Sequence, residues 1–307
     1  MIQKFHTKEG AATLSILSNA TLIIVKLSVG ILTGSISVLG DALDSVVDLI
    51  ASLVALSSIR IAAKPADLEH PFGHGKVENI SGVVEGGLIL VGAAFITWQA
   101  IKRMIEGAVL QDLDWGLGAM AFSLVLNTVL SLHIFRVARR TDSVALEADA
   151  QHVATNAYQA VGVLVGLLAV RLTGLQVFDS LVAIGIAGLL VWTSYNVHRQ
   201  AIAGLIDTRL PKEEEEVIRA SIMEHYGEMM GFHELRSRKA GSLREINLHL
   251  VMSKNASIEE AHRLCDHLED DIRRKLPGSI VTIHIEPCDG DCDDCDTPCP
   301  EKDGRVA

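Results

Sequence analysis

The chain has 307 residues, 49% of them apolar and 21% charged, and a formal net charge of -11 at neutral pH. A mean hydropathy of +0.32 is too high for an ordinary soluble enzyme, while the charged fraction is too large for a wholly embedded chain, so two differently built parts are expected. The acidic balance argues against nucleic acid as a partner.

Six apolar runs can each supply the about 20 helical residues that cross a bilayer. They cover 12–33, 36–62, 79–104, 115–137, 146–171 and 177–203. The first is too long for a signal-peptide core and lacks a convincing cleavage site, so it is expected to persist. With the N-terminus inside, Lys4, Lys8, Arg60, Lys64, Lys76, Arg136, Arg139, Arg140, Arg199 and Arg209 fall on the cytoplasmic side, against Lys102, Arg103 and Arg171 opposite. The bias predicts a multi-pass protein of the inner or plasma membrane, surrounded by lipid, with both termini cytoplasmic.

The second run contains "LGDALDSVVDLI", in which Asp41, Asp44 and Asp48 are spaced by three and four and so line one helix face. An ionised carboxylate at bilayer depth costs roughly 2.5–3.5 kcal/mol on insertion scales, so this face must look into the helix bundle. The fifth run repeats the spacing with Asp149, His152 and Asn156. If the two faces meet, Asp44, Asp48, His152 and Asn156 offer four oxygen or nitrogen donors, the number a tetrahedral divalent transition metal takes. Asp41 and Asp149 are read as supporting residues, since a single intramembrane acid can also simply bond a neighbouring helix.

Between the second and third runs, "KPADLEHPFGHGKVE" places Asp67, His70 and His74 at spacings of three and four, while Pro71, Gly73 and Gly75 forbid a plain helix. The plainer reading is a polar turn with incidental histidines.

The apolar runs give way near Leu210-Pro211, dividing the chain into 1–210, 211–287 and a tail at 288–307. A helix is expected over 213–226, then strands over 233–239 and 244–252 joined through Ala240-Gly241-Ser242. Ser257 with Glu260 reads as a capping box opening a helix to Leu276, stopped by Pro277-Gly278, and 279–286 reads as a third strand. The order αββαβ predicts a small open sheet with helices on one face. Alternation puts Ile246, Leu248 and Leu250 inside with Val281, Ile283 and Ile285, leaving His233, His249, His262, His284 and Glu286 free to ligate.

The tail "CDGDCDDCDTPCP" holds Cys288, Cys292, Cys295 and Cys299, with acids at 289, 291, 293, 294 and 296. Four thiols in a cytoplasmic tail disfavour disulfides and could hold structural zinc, catch cargo metal or sense it; the alternative is a tail without a role. The gaps differ from those of a ferredoxin-type run, which speaks against an iron–sulfur cluster. Cys265, inside the capped helix, reads as a small buried hydrophobe.

At "GSISVLGDA" followed by Asp44 and Asp48, and at His152 and Asn156, the sequence resembles the cation diffusion facilitator family over nearly its whole length. The resemblance implies a homodimer of six-span protomers with ferredoxin-like cytoplasmic domains, exchanging divalent metal for protons. It implies a transport site at Asp44, Asp48, His152 and position 156, and a second metal site at Asp67, His70 and His74. It also implies a regulatory metal site at His233, His249, His262, His284 and Glu286, and an interlock between Lys76 and Asp207. Zinc is the leading expected cargo, with manganese, iron, cobalt, nickel or cadmium as alternatives, because Asn156 stands where zinc-transporting members have Asp and removes one negative charge. No G-x-x-x-x-G-K-S loop is present, so coupling to ATP is not expected. Two other classes are a membrane-bound metal-dependent hydrolase, for which no spare base remains at the site, and a metal sensor, which would keep metal tolerance after Asp48→Ala.

Overall fold

The structure is a computed structural model that describes residues 7–33, 36–106, 114–173, 175 and 177–288. The chain divides into two compact units at Leu205 and Ile206. The first contains α1 (Lys8–Thr33), α2 (Ile36–Ala62), α3 (Val77–Glu106), α4 (Asp114–Thr141), α5 (Val144–Thr173) and α6 (Val177–Leu205). All six are long and apolar enough to cross a membrane. Each encloses one of the expected runs, and most extend past it into charged residues such as Lys8 and Arg139, whose stems can reach the interface.

Within this unit α1 packs along α2, α3 along α6 and α4 along α5. Small residues set the α3–α6 approach: a Cβ on Gly86 would lie 2.5 Å from His198 Nδ1, and one on Gly204 would lie 2.1 Å from Asn79 Nδ2. Asn79 in turn donates to the Ala201 carbonyl at 3.2 Å. Ile24, Val91, Val125, Leu168 and Trp192 are exposed, which leaves the bundle an apolar outer surface. At one end of the bundle buried Glu78 is held by Lys8 at 2.8 Å and by Ser143 at 2.7 Å, tying α1 and α3 to the residue that opens α5.

The second unit consists of α7 (Lys212–Met223), β1 (Gly231–Ala240), β2 (Leu243–Met252), α8 (Ile258–Lys275) and β3 (Ser279–Pro287). The sheet order is β1-β2-β3, with β1 antiparallel and β3 parallel to β2, so α8 is the crossover that a parallel pair requires. Ile218 and Ile222 of α7, and Leu264, Leu268 and Ile272 of α8, pack with Phe232, Ile246, Leu248 and Leu250 in one core. Ser257 caps α8 through the expected reciprocal bonds with Glu260.

Three details depart from the sequence reading. Helix α7 stops at Met223 rather than Tyr226, because residues 224–228 tighten into turns such as Glu228 N–H to the His225 carbonyl at 2.9 Å. Burial fades along β3, from Val281 at 5% exposed to Ile285 at 39%; Ile285 therefore lies beyond the core instead of inside it. Strand β1 carries a bulge between His233 and Arg236, with Glu234 at φ 50. The extra residue lets Phe232 and Leu235 both turn inward while His233 and Arg236 face outward.

Candidate metal centres

Asp48 on α2 and His152 on α5 are 8% and 5% exposed, and Asp48 Oδ1 lies 3.0 Å from His152 Nε2. One turn along α5, Asn156 Nδ2 donates to Asp48 Oδ2 at 2.9 Å. Asp48 thus faces His152 and Asn156, and both oxygens of its carboxylate are engaged. Asp41 and Asp44 belong to α2, but their side chains lie outside the described residues.

A buried polar network that sequence reasoning missed continues from this site. Asn19 on α1 donates to the Asp48 carbonyl at 3.2 Å and to Ser52 Oγ at 2.9 Å. Ser15 and Ser52 lie 2.8 Å apart, and their hydroxyls are 3.3 and 3.2 Å from Asp149 Oδ1. Asp149 is fully buried and accepts from these hydroxyls through Oδ1. The available signal was the four-residue spacing of Ser15 and Asn19, and of Asp48 and Ser52, on otherwise apolar helices. Asn19 Oδ1, Asp149 Oδ2 and His152 Nδ1 are buried with no hydrogen-bond partner among the described residues.

In the loop after α2, ligand atoms of Asp67, His70 and His74 all lie within 4.8 Å of one another. Asp67 is 3.3 Å from His70 Nδ1 and 3.4 Å from His74 Nε2. The backbone N–H of His70 donates to its carboxylate at 2.7 Å and that of Glu69 at 3.0 Å, so the turn itself aims the acid. The His70 N–H, with help from Glu69 and the imidazoles, holds the Asp67 carboxyl below its ordinary value against the opposing effect of burial. Gly73 at φ 81 supplies the left-handed residue that brings His74 back.

On the second unit the pairing of His233 with His249, and of His249 with His284, lines imidazoles across all three strands. Ligand atoms of His233, His249 and Glu286 lie within 4.8 Å of one another. Glu286 Oε2 is 3.0 Å from His233 Nε2, and its Oε1 is 2.9 Å from His249 Nδ1 and 3.5 Å from His284 Nε2. Burial works to raise the Glu286 carboxyl, but the His233 hydrogen bond and the adjacent imidazoles together hold it below the ordinary glutamate value. Glu234, not foreseen, lies on the bulge 3.8 Å from His249 Nε2.

His262 does not join this group. It sits on α8, 3.7 Å from Asp266, and α8 packs against the opposite face of the sheet, so within one chain the helix and the strand histidines are kept apart. Lys76 donates to the Leu205 carbonyl at 3.4 Å, and Asp207 accepts from Arg238 at 3.0 Å, each within its own unit. Cys288 is half-buried with its thiol free, while Cys292, Cys295 and Cys299 lie outside the described residues.

Residues 12–206 match the cation efflux transmembrane domain and residues 210–288 the cation efflux protein cytoplasmic domain. The uncharacterized transporter sll1263 of Synechocystis sp. is 34% identical over 276 residues, covering 90% of this chain and 89% of its own. The cation-efflux pump FieF of Salmonella paratyphi A is 32% identical over 269 residues, covering 88% and 89%. A solved chain of the proposed zinc transporter CzrB is 44% identical over 26% of this chain and 98% of its own, with a TM-score of 0.25.

Proposed function

This chain belongs to the cation efflux, or cation diffusion facilitator, family, and from that premise we propose that it exchanges a divalent transition metal for protons at Asp44, Asp48, His152 and Asn156. The observation that carries this reading is the convergence of His152 and Asn156 on the two oxygens of one buried carboxylate. A 3.0 Å contact between an imidazole nitrogen and a carboxylate oxygen holds a proton. An ion bound to both atoms has to replace that proton, so loading metal releases it and reprotonation expels the metal. Asn156 presents its amide nitrogen to Asp48 and would present its oxygen to an ion by turning about its terminal torsion.

Zinc is the proposed cargo because nitrogen and oxygen donors in fours suit it; manganese, iron, cobalt, nickel and cadmium are the alternatives. With Asp44 and Asp48 ionised, a divalent charge is balanced without a third carboxylate. The protein is proposed to act as a homodimer, both termini cytoplasmic, in an inner or plasma membrane. Its parts are the transport domain at 1–210, the metal-binding domain at 211–287 and the tail at 288–307. Asp67, His70 and His74 would hold a second ion. His233, His249, His284 and Glu286 would hold regulatory metal, with His262 contributing only from a partner protomer; Lys76 and Asp207 would interlock the protomers near the membrane.

Reconstituted vesicles test the reading. Zinc uptake should follow an imposed proton gradient and fall to the protein-free background in Asp48→Ala. Uptake indifferent to the gradient would refute exchange, and uptake that survives Asp48→Ala would refute the site. A hydrolase moves no zinc in this assay.

A further inference from the structure

Asp48 and His152 are buried between helices, so an ion has to reach them past other side chains. One face of α3 marks a path. Glu78, Ser81, Gly82 and Glu85 recur at helical intervals, and all four are buried. This face lies along the start of α5: Ser143 donates to Glu78 at 2.7 Å, and a Cβ on Gly82 would meet Val144 at 3.6 Å and Ala148 at 3.9 Å. One turn further along α3 comes Glu85, on which the charge of Asp149 acts, and His152 follows Asp149 by one turn of α5. Carboxylates therefore run along the α3–α5 seam from one end of the bundle, where Lys76 reaches the Leu205 carbonyl at 3.4 Å, towards the metal centre.

The carboxylates on this seam differ in what they hold. Glu78 has Lys8 Nζ on one oxygen at 2.8 Å and Ser143 on the other, so a tethered cation already sits on the outermost one. Glu85 is fully buried; its Oε1 accepts from Ser81 Oγ at 3.2 Å, and its Oε2 has no partner among the described residues. Asp149 Oδ2 is in the same condition, since Ser15 and Ser52 both bond Oδ1. Polar side chains that merely hold helices together have their buried oxygens filled by donors. Two buried carboxylates that act on each other, each with a bare oxygen, are instead suited to receive a positive ion.

We propose that Glu85, together with Asp149, is a transient binding position for the divalent cargo ion on its way between the Glu78 end of α3 and the Asp48–His152 centre. The proposal rests on the transport reading above. Two carboxylates match the charge of a divalent ion, yet they offer fewer donors than the four of the transport site, so the ion moves on to the fuller set. Glu85 then governs how fast the ion arrives and not how tightly the transport site holds it.

The test measures zinc flux into vesicles holding the full chain, at zinc well below saturation, alongside the equilibrium-bound zinc that Asp48→Ala loses. In Glu85→Gln the initial rate should fall by about tenfold, because one of two poorly screened charges facing the ion is gone. The Asp48-dependent bound zinc should keep its amount and affinity. Glu85→Asp, which restores the charge, should restore the rate. A parental rate in Glu85→Gln would take Glu85 off the path, and loss of the Asp48-dependent zinc together with the rate would make it part of the site or of the fold; either result overturns the proposal. Flux that survives Asp48→Ala would sink the transport reading itself, and this inference with it.

Discussion

Asp48 and Glu286 are each held by an imidazole nitrogen at 3.0 Å, yet the side chain of Asp48 is 12% exposed and that of Glu286 33%. The same pair of groups is thus placed in two media. Between α2 and α5, water cannot easily replace a lost partner, so the carboxylate must keep a proton-bearing neighbour or take an ion. On the sheet surface the pair can open to solvent at small cost. A site that trades metal for protons needs the first setting; a site that reports metal level suits the second.

The comparison can be broken at its supports. Phe232, 1% exposed, lies beneath the strand that carries His233, and Phe232→Ala should destabilise the cytoplasmic unit by about 3–5 kcal/mol in denaturant unfolding. Cobalt binding at the strand histidines should fall with it. If those histidines keep their affinity, the core does not position them.

Asn156→Asp adds a third carboxylate to the proposed transport site and should tighten zinc there by about tenfold, or about 1.4 kcal/mol. Isothermal titration against the parent protein, with the strand cluster disabled in both, checks this; unchanged affinity would remove position 156 from the ligand set. Ser257→Ala, which deletes the α8 cap, should cost about 1 kcal/mol of cytoplasmic-unit stability by the same unfolding assay and leave transport alone.

The smallest expected effect is electrostatic. Because its carboxyl is depressed in the folded chain, Glu286 contributes stability that is fully present above the ordinary glutamate value and is lost as pH falls through the lower folded value. Glu286→Gln should flatten that acid limb of a metal-free melting-temperature profile. An unchanged limb would mean that the imidazoles do not stabilise this carboxylate.

Much of this was legible in the residues. Six helices follow from run length alone, and the polar faces of α2 and α5 from spacings of three and four among oily neighbours. The spacing of Asp67, His70 and His74 was legible in the loop, where Pro71 fixes its own φ and Gly73 permits the left-handed conformation that turns the chain. The α1 contribution was not, since Ser15 and Asn19 become informative only once α1 is laid against Ser52 and Asp149. His262 is the converse case: its residue type suits a ligand, but the face of α8 that packs on the sheet keeps it from the strand histidines within one chain.

The sequence by itself determined the helices, the αββαβ order, the cap of α8 and the donor types available at each candidate metal centre, because these depend on periodicity, turn residues and side-chain type within a few positions of one another. Tertiary structure alone decided that His152 and Asn156 both close on Asp48, that Asn19 and two serines brace the site, and that a bulge at Glu234 resets β1. Each of these joins residues far apart in the chain or shifts a register by one, and local pattern carries no term for either.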